Sequence, residues 1–191
     1  NHKGFYHYSV RREKTINYIK SLNLSSNSKI LELGFGSGDA ADDILKLGYN
    51  YSGMDISAHL CDFASDRFKD EVKDNKAVFI NQSLEEKYPF EDNYFDAVFV
   101  CGALQYAEDL DFCINEVRRV LKDGHRFVVC QGNQFQLDKN INTISRMNAI
   151  LIQSANFEQS EDLAQLIQEE VSKTTSKNLN RGVKQAGFQV L

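Results

Sequence analysis

The chain has one proline, no tryptophan and no apolar run approaching the ~18 residues that a helical membrane span requires. Its first residues lack the basic, apolar and small-residue regions of a signal peptide. The four cysteines, Cys61, Cys101, Cys113 and Cys130, show no C-x-x-C pairing and no histidine at zinc spacing. A zinc module is thereby disfavoured, and no metal site is expected. Cysteines in apolar settings such as Phe99-Val100-Cys101 and Val128-Val129-Cys130 predict reduced, buried thiols, with a cytoplasmic location. Basic residues are too few to cover a nucleic-acid face, since 22 Lys and Arg stand against 27 Asp and Glu. The local cluster Arg11-Arg12-Glu13-Lys14 reads as a solvated helix face. Internal repeats and low-complexity tracts are also missing, and the lone proline, Pro89, falls in a loop.

What remains is a 191-residue chain with 42% hydrophobic residues, enough for one well-buried domain. It begins without methionine and stops inside a strand-like run, so a longer parent polypeptide is the expectation. Strand-like runs fall at about 29–33, 51–55, 77–80, 95–101 and 126–130, with a last one opening at Phe188. Helical patterns alternate with them. One is marked by Ile16, Ile19 and Leu22, another by Ala40, Ala41, Ile44 and Leu45. A third, capped by Ser57, carries His59, Leu60, Phe63, Ala64 and Phe68; the fourth carries Ile114, Val117, Val120 and Leu121. Such alternation predicts right-handed crossovers and a parallel sheet covered on both faces. The fold class is α/β, doubly wound, with ligands expected beyond the C-terminal strand ends. From Asn133 to Ser176 the pattern holds about two helical stretches and no strand. One starts at Ser160 and carries Leu163, Leu166, Ile167 and Val171. This region, 133–176, is expected to be a helical insertion able to serve as a lid, and 1–27 an N-terminal helical cap, within one domain over 1–191.

The most informative segment is Ile30-Leu31-Glu32-Leu33-Gly34-Phe35-Gly36-Ser37-Gly38-Asp39. An apolar run carrying one acid breaks into glycines at alternate positions and then a helix. Such glycines let the backbone turn sharply and approach a ligand, and the helix start offers unpaired N–H groups. A dinucleotide fingerprint requires a small residue where Asp39 stands, and its strand has no use for Glu32. Asp55 ends the second strand, where a carboxylate can accept both hydroxyls of a ribose.

The run Glu32 to Gly38 resembles the first motif of Rossmann-like, class I S-adenosylmethionine-dependent methyltransferases. Further stretches resemble that family in order. Asp55-Ile56 is similar to its ribose acid and adenine-packing residue. Asn81 to Phe99 resembles its passage through a Leu-Pro-Phe loop, with Lys87 inserted. Phe99 to Tyr106 resembles the fourth-strand end, and Asn115 to Val129 the run into the fifth strand, with Asp123 and His125 in place of Pro and Gly. The resemblance covers about 29–131 and looks most like the small-molecule branch that includes quinone-biosynthesis enzymes.

It implies strand order 3-2-1-4-5 plus a C-terminal strand, in a three-layer α/β/α sandwich. It also implies S-adenosylmethionine as cofactor, held by Glu32, Gly34, Phe35, Gly36, Gly38, Asp55, Ile56, Ser83, Leu84 and Cys101. Glu32 would face the cofactor's ammonium. Ser83 stands where many members have an aspartate for the adenine amino group, so that contact would lack charge. The implied reaction is methyl transfer to an O, N or C atom of a small molecule, by a monomer or homodimer. No catalytic base is assigned; His7 and Tyr106 are weak candidates, and His125 reads as a turn residue. Two other readings stay open: a non-catalytic protein of this fold that binds cofactor or a partner, and a nicotinamide-dependent oxidoreductase.

Overall fold

The computed structural model describes residues 2–131, 148–153 and 189–190. The elements run α1 (His2–Ser21), β1 (Lys29–Leu33), α2 (Asp39–Lys46), β2 (Asn50–Asp55), α3 (Ala58–Arg67) and α4 (Lys69–Lys73). Then follow β3 (Ala77–Asn81), β4 (Phe95–Cys101), a 3-10 turn (Leu104–Tyr106), α5 (Leu110–Val120), β5 (Leu121–Gln131), β6 (Asn148–Gln153) and β7 (Gln189–Val190). The sheet order is β3-β2-β1-β4-β5-β6-β7, parallel through β5 and antiparallel beyond it. The expected order 3-2-1-4-5 is therefore present, with β7 opening next to Phe188. Strand order reverses between β1 and β4, which is where an open α/β sheet forms its ligand crevice.

Successive strand residues point to opposite faces, and the two cores follow that alternation. Leu31, Leu33, Val98, Val100, Phe127 and Val129 pack with Cys113, Ile114, Val117 and Val120 of α5. Ile30, Ala97, Phe99, Tyr51 and Val128 pack on the other face, under Ile16 and Ile19 of α1 and Ala40, Ala41 and Ile44 of α2. Burial on both faces explains why the central strands are nearly continuous apolar runs. The Ser57 hydroxyl caps α3 as expected, accepting from Leu60 N, and at α5 Asp109 Oδ1 accepts from Phe112 N at 2.9 Å.

Two expectations need correction. A strand, β6, lies within 133–176, where only helices were expected, and it pairs with β5 from Arg126↔Gln153 to Gln131↔Asn148. Its run Ala149-Ile150-Leu151-Ile152 is short, and a short apolar run fits strand or helix equally. The Ser160 cap and the Leu163–Val171 stripe lie outside the described residues. Second, β5 opens at Leu121, directly after α5, so Leu121 and His125 belong to the strand's span. The irregularity is there all the same: register shifts between Phe95 and Ala97, and Gly124 has φ 75°. His125 lies beside it, with Nε2 3.4 Å from Asp96 Oδ1.

Candidate functional site

The turn after β1 is fixed by main-chain bonds and a buried aromatic. Gly34 N donates to Met54 O at 2.7 Å, and Gly38 N donates to Phe35 O at 3.1 Å. Gly34 has φ 69°, and a Cβ there would lie 2.3 Å from Ala103 Cβ, an impossible overlap. Gly36, at φ 59°, faces open space. Between them Phe35 turns inward and is 1% exposed. Its ring occupies the place a side chain on Gly53 would need, 2.7 Å away, and meets Phe79 edge-on at 5.2 Å.

Asp55 closes the turn from the tip of β2. Oδ2 accepts from Gly36 N at 2.9 Å and Oδ1 from Ser57 N at 3.0 Å. A carboxylate has about four acceptor sites, so each oxygen keeps one for a ligand. Asn81 steadies the same loop, its Nδ2 donating to Ile56 O at 2.8 Å and Asp55 O at 3.2 Å. Ile56 is left 76% exposed. These residues open on a cavity of about 280 Å³ lined by Gly34, Asp55, Ile56, Ser83, Leu84, Glu85, Gly102, Ala103, Tyr106 and Ala107.

Glu32 is not among the lining residues. Its position in β1 turns it to the α1 and α2 face, where it is 1% exposed and accepts from Tyr51 Oη at 2.6 Å. Burial raises its carboxyl to about pKa 8, against a smaller downward pull from the Tyr51 bond. The group is therefore mostly protonated at neutral pH. Burial and the same carboxyl also push the Tyr51 phenol well above its ordinary range.

Five of the ten residues expected to hold the cofactor thus line one cavity: Gly34, Asp55, Ile56, Ser83 and Leu84. Gly36 reaches it through Asp55, Phe35 is core, and Gly38 packs near Phe68 at the start of α2. The Ser83 hydroxyl accepts from Glu85 N at 3.2 Å, inside its own loop. Cys101 is buried beside Cys130, its partner in register. The hydrogen bond between the thiols, aided by burial, keeps Cys101 protonated. All four cysteines are free and buried, as expected. Tyr106 stands at the rim, 78% exposed. His7 lies in α1, but its side chain is outside the described residues. His59 is exposed.

Sequence reading missed Glu85 and Ala107, whereas Gly102 and Ala103 fall within the stretch Phe99 to Tyr106 that it placed at the fourth-strand end. Glu85 sat in an acidic run that resembles a solvated loop. Its Oε1 instead accepts from Glu108 N and Asp109 N, tying the loop after β3 to the start of α5. Gly102, with φ 85° at the tip of β4, carried the usable signal: a glycine directly after a strand. Among the described residues no cluster of His, Cys, Asp and Glu could hold a metal ion.

The chain is 30% identical over 110 residues to sterol 4-C-methyltransferase strm-1 of Caenorhabditis elegans, covering 58% of this chain and 33% of that protein. It is 29% identical over 112 residues to demethylmenaquinone methyltransferase of Tropheryma whipplei, covering 59% and 45%. The chain therefore spans between a third and a half of these relatives' lengths. A solved geranyl diphosphate methyltransferase in complex with SAM superimposes with TM-score 0.57 at 20% identity, over 64% of this chain and 48% of that one, and shares the fold. The family model described as a methyltransferase domain matches residues 31–129, from within the first strand to within the fifth. With that match over the same strands and turns that build the cavity, this chain belongs to the methyltransferase domain family.

Proposed function

We propose that the chain binds S-adenosylmethionine in the cavity at the strand tips and passes its methyl group to an O, N or C atom of a small-molecule acceptor. The observation that carries this reading is Asp55. Its carboxylate is fixed by two main-chain donors and keeps free acceptor sites at the mouth of a cavity beside an exposed apolar residue. The residues fit the nucleoside end of the cofactor. Asp55 would take the ribose hydroxyls, Ile56 would cover an adenine face, and Gly34 with Gly102 would let main chain lie close. Glu32 fits less well, because it is buried outside the cavity and bonded to Tyr51, so a direct ammonium contact is not part of this proposal.

The bound cofactor supplies an electrophilic methyl group, and the protein supplies placement. Alignment of two bound reactants accounts for up to ~7–11 kcal/mol of barrier lowering in well-oriented systems. This chain's contribution is thus a pre-shaped turn, a fixed carboxylate and apolar walls, with no base assigned. The nicotinamide reading gives way to the family match. The relatives' names, sterol and demethylmenaquinone methyltransferase, support a small apolar acceptor. The acidic balance disfavours nucleic acid. No described helix is long and apolar enough to cross a membrane. The four free, buried thiols support a reducing, cytoplasmic location.

Isothermal titration with S-adenosylhomocysteine tests the proposal. Binding to the wild type that Asp55→Ala weakens by about 100-fold, the loss of two charge-assisted bonds, is expected. A folded wild type that binds no S-adenosylhomocysteine overturns it.

A further inference from the structure

We propose that Cys101 and Cys130 are a redox-active dithiol that closes into a disulfide under a peroxide and so acts on the β4 wall of the cavity. The two are register partners on adjacent parallel strands. Neighbouring strands lie about 4.7–4.9 Å apart, inside the range of about 4.4–6.8 Å between Cα atoms that a disulfide spans. Both side chains take the same face, because Phe99 and Val128, two residues before each, share the core under α1. There the thiols share a hydrogen bond. The other two cysteines are placed differently. Cys61 in α3 and Cys113 in α5 donate to main-chain carbonyls, Asp55 O at 3.7 Å and Leu84 O at 3.2 Å.

A thiolate is the nucleophile in such an oxidation, and cations beside it favour that form. The Cys101 hydrogen bond favours the Cys130 thiolate against burial, and Arg11 and Lys14 of α1 add to it. One proton then belongs to the pair. Cys101 is 9% exposed, whereas Cys130 is fully buried with Sγ turned to Arg11 O at 3.9 Å, so an oxidant meets Cys101 first. As the shared proton passes to Cys130, the Cys101 sulfur attacks one peroxide oxygen and the O–O bond breaks. A sulfenic acid forms, and the departing hydroxide takes a proton from solvent and leaves as water. The Cys130 sulfur then attacks the Cys101 sulfur, the S–O bond breaks, and a second water leaves with the Cys130 proton. Two thiols lose two electrons, and one hydrogen peroxide becomes two waters. The new bond holds the sulfurs closer than their hydrogen bond did and draws Cys101 toward β5. Gly102, the next residue, is a wall of the cavity, so closure shifts that wall.

Hydrogen peroxide applied to the folded wild type, followed by alkylation and peptide mapping, tests the pair. A Cys101–Cys130 linked peptide that dithiothreitol reverses is expected, with Cys61 and Cys113 still alkylated as internal controls. Cys130→Ser removes the resolving sulfur and should leave a Cys101 sulfenic acid that dimedone traps. Should that variant fail to fold, the wild-type map decides alone. Four alkylated cysteines after peroxide, or links that join Cys61 or Cys113, overturn the dithiol. The action on the cavity wall rests on the methyl-transfer reading and is measured by titrating reduced and cross-linked wild type with S-adenosylhomocysteine. Cross-linking should weaken binding by about 10-fold, the effect of a small misplacement, and dithiothreitol should restore it. Equal affinity of the two forms overturns the switch. Failure of the reduced form to bind overturns the cofactor reading instead, and the peptide map still decides the disulfide.

Discussion

The tips of β1 and β2 carry the same chemical group in opposite surroundings. Asp55 sits at the cavity mouth, and each oxygen is held by a main-chain N–H. Glu32, one strand over, is sealed under α1 with a single phenol donor, and burial lifts it to about pKa 8. An acid at a cavity mouth keeps lone pairs beyond those its two main-chain donors occupy, and those donors orient it. An acid prepared for the core is made neutral and joined to one partner. Position on neighbouring strands decides nothing by itself; the face and the donors do.

Replacing each acid by alanine breaks the comparison most strongly. Glu32→Ala should lower stability by about 3 kcal/mol, because it leaves a cavity and strips Tyr51 Oη of its acceptor. Asp55→Ala, which frees two part-buried main-chain donors, should lower the melting temperature less than Glu32→Ala does while removing most S-adenosylhomocysteine affinity. Equal melting temperatures for the two variants would erase the distinction. Stability against pH tests the protonation of Glu32. The folded pKa lies above the ordinary 4.5, so the folded state holds a proton that the unfolded state releases. Stability is therefore fullest below pH 4.5 and declines as pH rises through about 8, at most ~1.4 kcal/mol per pH unit. Glu32→Gln should flatten that decline in denaturant titrations at pH 5 to 9. Asp55→Asn keeps one acceptor oxygen without charge and should weaken the nucleoside by about 10-fold, measured by calorimetry. Smallest is Tyr51→Phe, which deletes one buried bond and should cost about 1 kcal/mol in chemical denaturation.

Legibility in the sequence followed periodicity and turn chemistry. Strands β1 and β4 were bounded to the residue, since both faces are buried and their apolar runs end at glycine or an acid. The turn and Asp55 were legible because few residues besides glycine fit a left-handed turn and an acid at a strand tip has few uses. Glu32 was legible as unusual but not in its direction. Which face a strand residue takes depends on what the helices bring over it, here Tyr51 beneath and α1 above. Arg11 and Arg12 were indistinguishable as neighbours in a basic cluster. On a helix they diverge by about 100°, so Arg12 meets the acids of α2 and Arg11 meets Gly102. The strand β6 was missed because four apolar residues carry no period of their own.

The inward turn of Phe35 has a kinetic consequence. With its ring wedged against Gly53 and Phe79, the loop cannot breathe without unseating a piece of the core. An arriving nucleoside meets a carboxylate already held in place by the turn and has no chain to organise. Association is then a single encounter step, and differences in affinity among nucleosides are written in how long each one stays.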